Sequence, residues 1–139
     1  MKIKKATKND LKEISILYER NMKKQFQLIG ERVINSKEYV KILKKNLNKS
    51  KMLVLAKNSI EGFIWYVKKG NEFNLEEIFV KSKGKGYGRI LIKHMLNDAK
   101  KSKIKKINGD IHFKNKNAIN FFKKLGFTER TIEVSLDLK

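Results

Sequence analysis

Three glycines at alternate positions, in Ser82-Lys83-Gly84-Lys85-Gly86-Tyr87-Gly88-Arg89, separate a β-rich run from an amphipathic helix. Asn74 to Lys81 has the aromatic and branched content of a strand, while Leu91, Ile92, Met95 and Ala99 share one side of a helix. A strand that passes through glycines into a helix calls for a sheet with helices packed on it, so the class is mixed α/β. Glycine has no Cβ, and consecutive backbone N–H groups of such a loop can therefore approach an anion closely. The helix that follows adds unpaired N–H groups and the positive end of its dipole. A phosphate or pyrophosphate is the matching ligand, and Lys83, Lys85 and Arg89 carry the right sign of charge. The same residues also suffice for a plain strand-to-helix turn.

Two familiar phosphate loops are excluded by spacing. A P-loop ends in Gly-Lys-Ser/Thr, but here Gly88 is followed by Arg89-Ile90, which leaves no lysine for a terminal phosphate and no hydroxyl for magnesium. A dinucleotide fingerprint runs Gly-x-Gly-x-x-Gly near the start of a βαβ unit, whereas Gly84-x-Gly86-x-Gly88 lies in mid-chain.

The remaining elements follow from periodicity. Lys2 to Ala6 reads as a short strand, and Thr7 with Asp10 signals a helix start. Leu11, Ile14, Leu17, Tyr18 and Met22 then form one apolar stripe, which predicts a helix over about residues 8–22. A second helical region covers Gln25–Arg32 and Glu38–Leu47, and its break is not set by the pattern. Met52–Ala56 and Ile60–Val67 predict an antiparallel hairpin around Lys57-Asn58-Ser59. Ile104–Phe113 reads as a strand, Asn115–Leu125 as a short helix and Phe127–Leu138 as the closing strand. There is no proline and no internal repeat, so residues 1–139 are expected to form a single domain.

Composition removes whole classes of chemistry. Without cysteine there is neither a disulfide framework nor a thiolate nucleophile, so any nucleophile comes from substrate or water. His94 and His112 are far apart and lack a carboxylate at ligand spacing, and no metal is expected. No stretch approaches the roughly 18 apolar residues of a membrane span, so a soluble, cytoplasmic protein is expected. The formal net charge of +20 invites phosphates or nucleic acid. Its carriers are nearly all lysines spread along the chain, with only Arg20, Arg32, Arg89 and Arg130 as arginines, whereas base readout favours arginine forks. A nucleic-acid role stays an alternative rather than the leading reading.

Two segments together resemble the GNAT N-acetyltransferase family. Lys83-Gly84-Lys85-Gly86-Tyr87-Gly88 is similar to that family's Arg/Gln-x-x-Gly-x-Gly/Ala loop, with Leu75-Glu76-Glu77-Ile78-Phe79-Val80 resembling the strand before it. Asn115 to Phe127 is similar to the family's Asn-x-x-Ala-x-x-Phe-Tyr-x-x-x-Gly-Phe segment. The resemblance implies a mostly antiparallel central sheet flanked by helices, and transfer of the acetyl group of acetyl-CoA to an amine that attacks the thioester directly. Catalysis then consists of positioning, taking the amine's proton and holding the developing oxyanion.

By that resemblance, backbone around Ile78, Phe79 and Val80 holds the pantetheine arm, and Lys83, Gly84, Lys85, Gly86, Tyr87, Gly88 and Arg89 cradle the pyrophosphate. Asn115 matches a CoA-contacting asparagine, and it equally fits the N-cap of the following helix. Glu76 and Glu77 are the candidate bases; a regular strand turns only one of them to the substrate. Glu76 shares the parity of Asn74, where relatives carry a base, so it leads unless a bulge reverses the order. Phe122 stands where many relatives place a proton-giving tyrosine, and it also fits a core stripe with Ala118, Phe121 and Leu125. The acceptor wall falls in Gln25–Asn48, whose carboxylates are Glu31 and Glu38, and the amine itself is not specified. A CoA-binding module without turnover is the other alternative, and a monomer or a homodimer is compatible with everything above.

Overall fold

The computed structural model describes residues 1–30 and 34–138; Glu31, Arg32, Val33 and Lys139 lie outside them. The elements are β1 (Lys2–Lys5), a 3-10 turn (Lys8–Asp10), α1 (Leu11–Ile29), α2 (Ser36–Asn46), β2 (Lys51–Ala56), β3 (Ile60–Lys69), β4 (Glu72–Val80), α3 (Tyr87–Lys101), β5 (Lys106–Gly109) and α4 (Lys116–Lys124). They build one five-stranded sheet in the order β1-β2-β3-β4-β5. The first four strands are mutually antiparallel, and β5 joins β4 in parallel.

Strand alternation feeds two cores, one on each face. Leu11, Ile14 and Leu17 of α1 and Tyr39 and Leu43 of α2 pack on Val54, Phe63, Trp65 and Phe79. Leu91, Ile92, Met95 and Ala99 of α3 and Phe122 of α4 pack on Leu55, Ile64, Tyr66 and Phe73. The apolar side of the helix after the glycines is thus the buried side of α3. Gly62 on β3 lets α3 come close, since a Cβ there would lie 3.0 Å from the Leu91 side chain.

The helix start at Thr7 is as its sequence suggests: the Thr7 N–H and hydroxyl donate to the Asp10 carboxylate at 2.8 and 3.1 Å. Three boundaries differ. The first helix does not stop at residue 22 but runs to Ile29, because no breaker intervenes before Gly30, which ends it in the left-handed region at φ 74°. The strand expected over 104–113 is paired only from Lys106 to Gly109. The expected closing strand is not in the sheet: Ile132, Val134, Leu136 and Leu138 keep the alternation of a strand yet are 83–90% exposed. Alternation specifies which face would be buried and says nothing about whether a neighbouring edge is there to receive it.

Candidate active site

The site begins where two strands part. β4 pairs with β3 along its length, but with β5 only through Glu72↔Lys106 to Leu75↔Gly109. From Glu76 to Val80 the edge of β4 on the β5 side has no strand partner among the described residues. Asn108 ties the closed end of this split, donating from Nδ2 to Glu72 Oε1 at 2.7 Å and to Asn74 Oδ1 at 3.3 Å.

The open edge leads directly into the glycine loop. Gly84 and Gly86 sit at φ 79° and 78°, and a Cβ at either would meet nothing within 4 Å. Only glycine adopts that backbone freely, and the space beside it is open. Gly86 is the N-cap of α3, has no side chain to cap it, and accepts the first helical bond from the Ile90 N–H at 3.1 Å. The N–H groups of Tyr87, Gly88 and Arg89 are therefore left without acceptors inside the helix. Lys83, Lys85 and Arg89 are exposed around them. Gly88 has a different role: a Cβ there would stand 3.4 Å from the Phe121 ring, so its smallness seats α4 against the start of α3.

The two carboxylates are sorted by a bulge. Trp65 pairs with Glu77 and Tyr66 with Leu75, which leaves Glu76 opposite no residue of β3. The extra residue shifts the alternation by one. Leu75 and Ile78 then both pack on the α3 side, whereas Phe79 packs in the α1–α2 core, and Glu77, two residues before it, shares that face. The parity that placed Glu76 with Asn74 is thereby overturned: Glu76 is exposed and Glu77 is partly buried. Burial, then the neighbouring charge of Glu76, pushes the Glu77 carboxyl up to about 7.

Aromatic rings enclose Glu77. Trp65 is its cross-strand partner. Tyr39 of α2 stacks on Tyr18 of α1 with ring centroids 3.5 Å apart, and Tyr18 meets Phe79 edge-on at 6.0 Å. Burial, followed by the charge of Glu77, raises Tyr18 to about 12 and moves Tyr39 in the same direction. Neither phenol serves as an acid near neutral pH. The buried Tyr39 Oη and Trp65 Nε1 have no hydrogen-bond partner among the described residues.

Residues 48–129 match the sequence profile of the family described as acetyltransferase (GNAT) domain. The chain belongs to the GNAT acetyltransferase family. No curated protein matches it. Solved GNAT-like structures superpose on nearly the whole chain. A PaiA N-acetyltransferase from Thermoplasma acidophilum, in complex with coenzyme A, is 20% identical with TM-score 0.80, over 95% of this chain and 92% of its own. A ribosomal-protein-alanine N-acetyltransferase from Brucella melitensis is 19% identical with TM-score 0.76, over 94% and 86%. A predicted acetyltransferase from Clostridium acetobutylicum, solved with acetyl-CoA, is 19% identical with TM-score 0.75, over 98% and 95%.

Within this GNAT fold the second motif is built into packing. The Asn115 side chain accepts from the Ala118 N–H at 3.2 Å and caps α4. Phe122 is 8% exposed, with Phe121 and Phe127 edge-on to it at 5.2 Å. The α4 ring at the glycine loop is Phe121, its neighbour and the phenylalanine of the motif's Phe-Tyr pair. Asn21 was not legible: it falls in line with Ile14 and Leu17 on α1 and donates to the Leu17 carbonyl at 3.1 Å and the Val80 carbonyl at 3.4 Å, at the end of the open edge. A separate hollow of about 380 Å³ lies by the C-terminal half of α3, where Asp98 receives Lys51 Nζ and the Tyr66 hydroxyl, each at 2.6 Å. Asp98, Lys51 and Tyr66 there satisfy one another. No cluster of three metal-ligating side chains occurs among the described residues, and no described helix is long and apolar enough to cross a membrane.

Proposed function

We propose that this GNAT chain, acting in the cytoplasm as one domain over residues 1–139, transfers the acetyl group of acetyl-CoA to a primary amine. The observation that carries the reading is the unpaired edge of β4 running into a glycine-lined helix N-terminus, with Glu77 on the adjoining strand residue. An edge of free peptide groups suits the amide-rich pantetheine arm, and the N–H groups of Tyr87, Gly88 and Arg89 suit its pyrophosphate. The CoA complexes of structures with this fold support the placement.

The chemistry then needs few groups. Glu77 takes a proton from the bound ammonium, freeing the nitrogen lone pair to attack the thioester carbon. A backbone N–H of the open β4 edge stabilises the oxyanion of the tetrahedral intermediate. Collapse restores the carbonyl, breaks the C–S bond and expels CoA thiolate, and the second proton of the attacking nitrogen passes to that thiolate or to water, which leaves a neutral amide. A thiol with ordinary pKa near 8.5 leaves with little help, so Phe122, which has no proton to give, does not block the reaction. Tyr18, Tyr39 and Trp65 wall the amine on the face of Glu77.

The test is a thiol-release screen of primary amines with acetyl-CoA, alongside melting with and without CoA. Thiol release with some amine and a CoA-dependent rise in Tm support the reading. A CoA-dependent rise with no release for any amine between pH 7 and 9 reduces the protein to a CoA-holding module. Absence of any rise at saturating CoA rejects the site itself.

A further inference from the structure

The hollow of about 380 Å³ beside the C-terminal half of α3 shares no residue with the proposed acetyl-CoA site. Its wall is one side of α3, where His94, Asn97, Asp98 and Lys101 recur at helical spacing. Its floor comes from β2 and β3, through Lys51, Leu53 and Tyr66. The split between β4 and β5 lies farther along the sheet, beyond β3.

The central groups of this hollow are held in place by the fold itself. Tyr66 is 1% exposed, and its hydroxyl donates to Asp98 Oδ2 at 2.6 Å. The Lys51 ammonium donates to the same oxygen at 2.6 Å, and the Ser102 hydroxyl donates to Oδ1 at 3.2 Å. Asp98 is the one carboxylate of the lining, and these three donors answer it. Lys51 gives it one of three N–H groups and keeps two. Along α3, the exposed side chains of His94, Asn97 and Lys101 have no hydrogen bond or ion pair among the described residues. Lys5 pairs with Leu53 across β1 and β2, so a further exposed lysine stands on the same face at the margin.

Three lysines, a neutral amide and an imidazole around one answered carboxylate make a place for an anion. No arginine lines it, so the planar fork that reads a carboxylate is lacking, whereas lysines meet a tetrahedral phosphate as point charges. The volume is at the small end for ligand sites, with room for a phosphate and a short organic stem on Leu53. Net charge alone puts lysines on every face. What is particular here is a lysine pinned beside a concavity by a carboxylate that a buried tyrosine fixes in turn. We infer that this hollow is a second anion site, which binds the phosphate group of a small molecule, free phosphate or a phosphate monoester, independently of acetyl-CoA.

The test is an NMR titration of the isotope-labelled full chain at saturating CoA, in about 0.15 M chloride to screen the general charge. Inorganic phosphate shifts the Asn97 side-chain amide and the backbone amides of Lys51, His94 and Lys101 along a saturating curve. Glycerol phosphate is the second probe: saturation at lower concentration makes the source a monoester packed on Leu53, and saturation at equal or higher concentration makes it free phosphate. N97D with K101E weakens either probe by about tenfold or more, from the summed change of charge, and leaves the CoA-dependent rise in Tm as it was. Both positions are exposed, so the fold is kept, as an unchanged melt without ligand verifies. K83E with K85E, in the glycine loop, leaves the response of the hollow intact. The titration reads the same hollow without CoA, so failure of the acetyl-CoA reading does not decide it. Shifts that grow linearly, or that spread over exposed lysines of every face, reduce the hollow to part of a screening coat and overturn the inference. So does a saturating response that survives N97D with K101E, or one that disappears with K83E and K85E.

Discussion

Replacing Glu77 by glutamine moves stability and activity in opposite directions. The folded carboxyl titrates at about 7, against an ordinary value of 4.5. Between those values the folded chain keeps a proton that the unfolded chain has released, so stability falls as pH rises through that window. At about 1.4 kcal/mol per unit, the rise corresponds to roughly 3 kcal/mol. The split beside β4 admits water, which trims it to about 2–3 kcal/mol. Glutamine keeps the shape of the neutral carboxyl and cannot ionise. At pH 8 Glu77→Gln is therefore more stable than the parent by about 2–3 kcal/mol, or a Tm higher by roughly 5–10 °C for a chain of this size. At pH 4.5 the two melt alike. Turnover falls by roughly 10²–10⁴-fold, as for loss of a general base, and the parent's kcat/KM rises with pH through about 7. Thermal melts at the two pH values and a pH–rate profile check both halves. A Glu77→Gln protein that melts lower than the parent at pH 8 refutes the burial argument. One that melts higher but keeps full turnover refutes the base and leaves the burial intact. Glu76→Gln, at an exposed carboxylate, leaves turnover within a few-fold and shifts the profile slightly downward, since it removes the charge that helps raise Glu77.

Gly86→Val abolishes the CoA-dependent rise in Tm, because a branched side chain at φ 78° is strained and fills the open space beside the helix N-terminus; an unchanged rise makes the loop a mere turn. Lys83→Glu with Lys85→Glu weakens CoA more than a phosphate-free pantetheine fragment, and the difference shrinks at high salt; equal losses for the two ligands contradict a phosphate role. Phe122→Tyr lowers Tm, since its ring is buried among Phe121 and Phe127 and a buried hydroxyl without a partner costs about 1–3 kcal/mol. Turnover stays within about twofold, and a large rate gain in that variant would place the phenol in the cleft instead.

How much of this was legible in the residues depends on which interactions carry each feature. The glycine loop was legible because its constraint is local: Gly84 and Gly86 need positive φ, and the apolar stripe of Leu91, Ile92, Met95 and Ala99 starts one turn into α3. The hairpin of β2 and β3 and the capped start at Thr7 are local in the same sense. The end of β5 and the exposed segment 131–138 were not, because strand content measures fitness for pairing and the partner is set by the rest of the fold. Ile104–Phe113 and Phe127–Leu138 carry good strand patterns, yet pairing stops at Gly109 and never includes that segment.

The candidate catalytic carboxylate shows the same divide at the scale of one residue. Counting along β4 from Asn74 puts Glu76 on its face, and every residue in Glu72–Val80 is compatible with that count. What reverses it is a preference of the two faces, not of the strand. Phe73 and Leu75 are drawn to the α3 side, while Phe79 is drawn under Tyr18, against Phe63 at 5.2 Å. Both demands are met only if the strand gains a residue between them, and Glu76 is the one that can be surrendered to solvent at little cost. The bulge thus falls next to the point where β5 departs. One packing conflict, resolved at a single position, turns Glu77 toward the aromatic wall, loads its carboxyl to about 7 and leaves the strand edge beside it open. The same conflict predicts its own relief: deleting Glu76 should restore a regular strand while leaving Leu75 opposite Tyr66, Glu77 opposite Trp65 and Phe79 opposite Phe63. No side chain has to change face. The shortened chain is expected to keep its Tm within a few °C and the turnover that Glu76→Gln retains. A deletion variant that loses both would mean that the bulged residue itself, and not only the register it restores, holds the carboxylate in place.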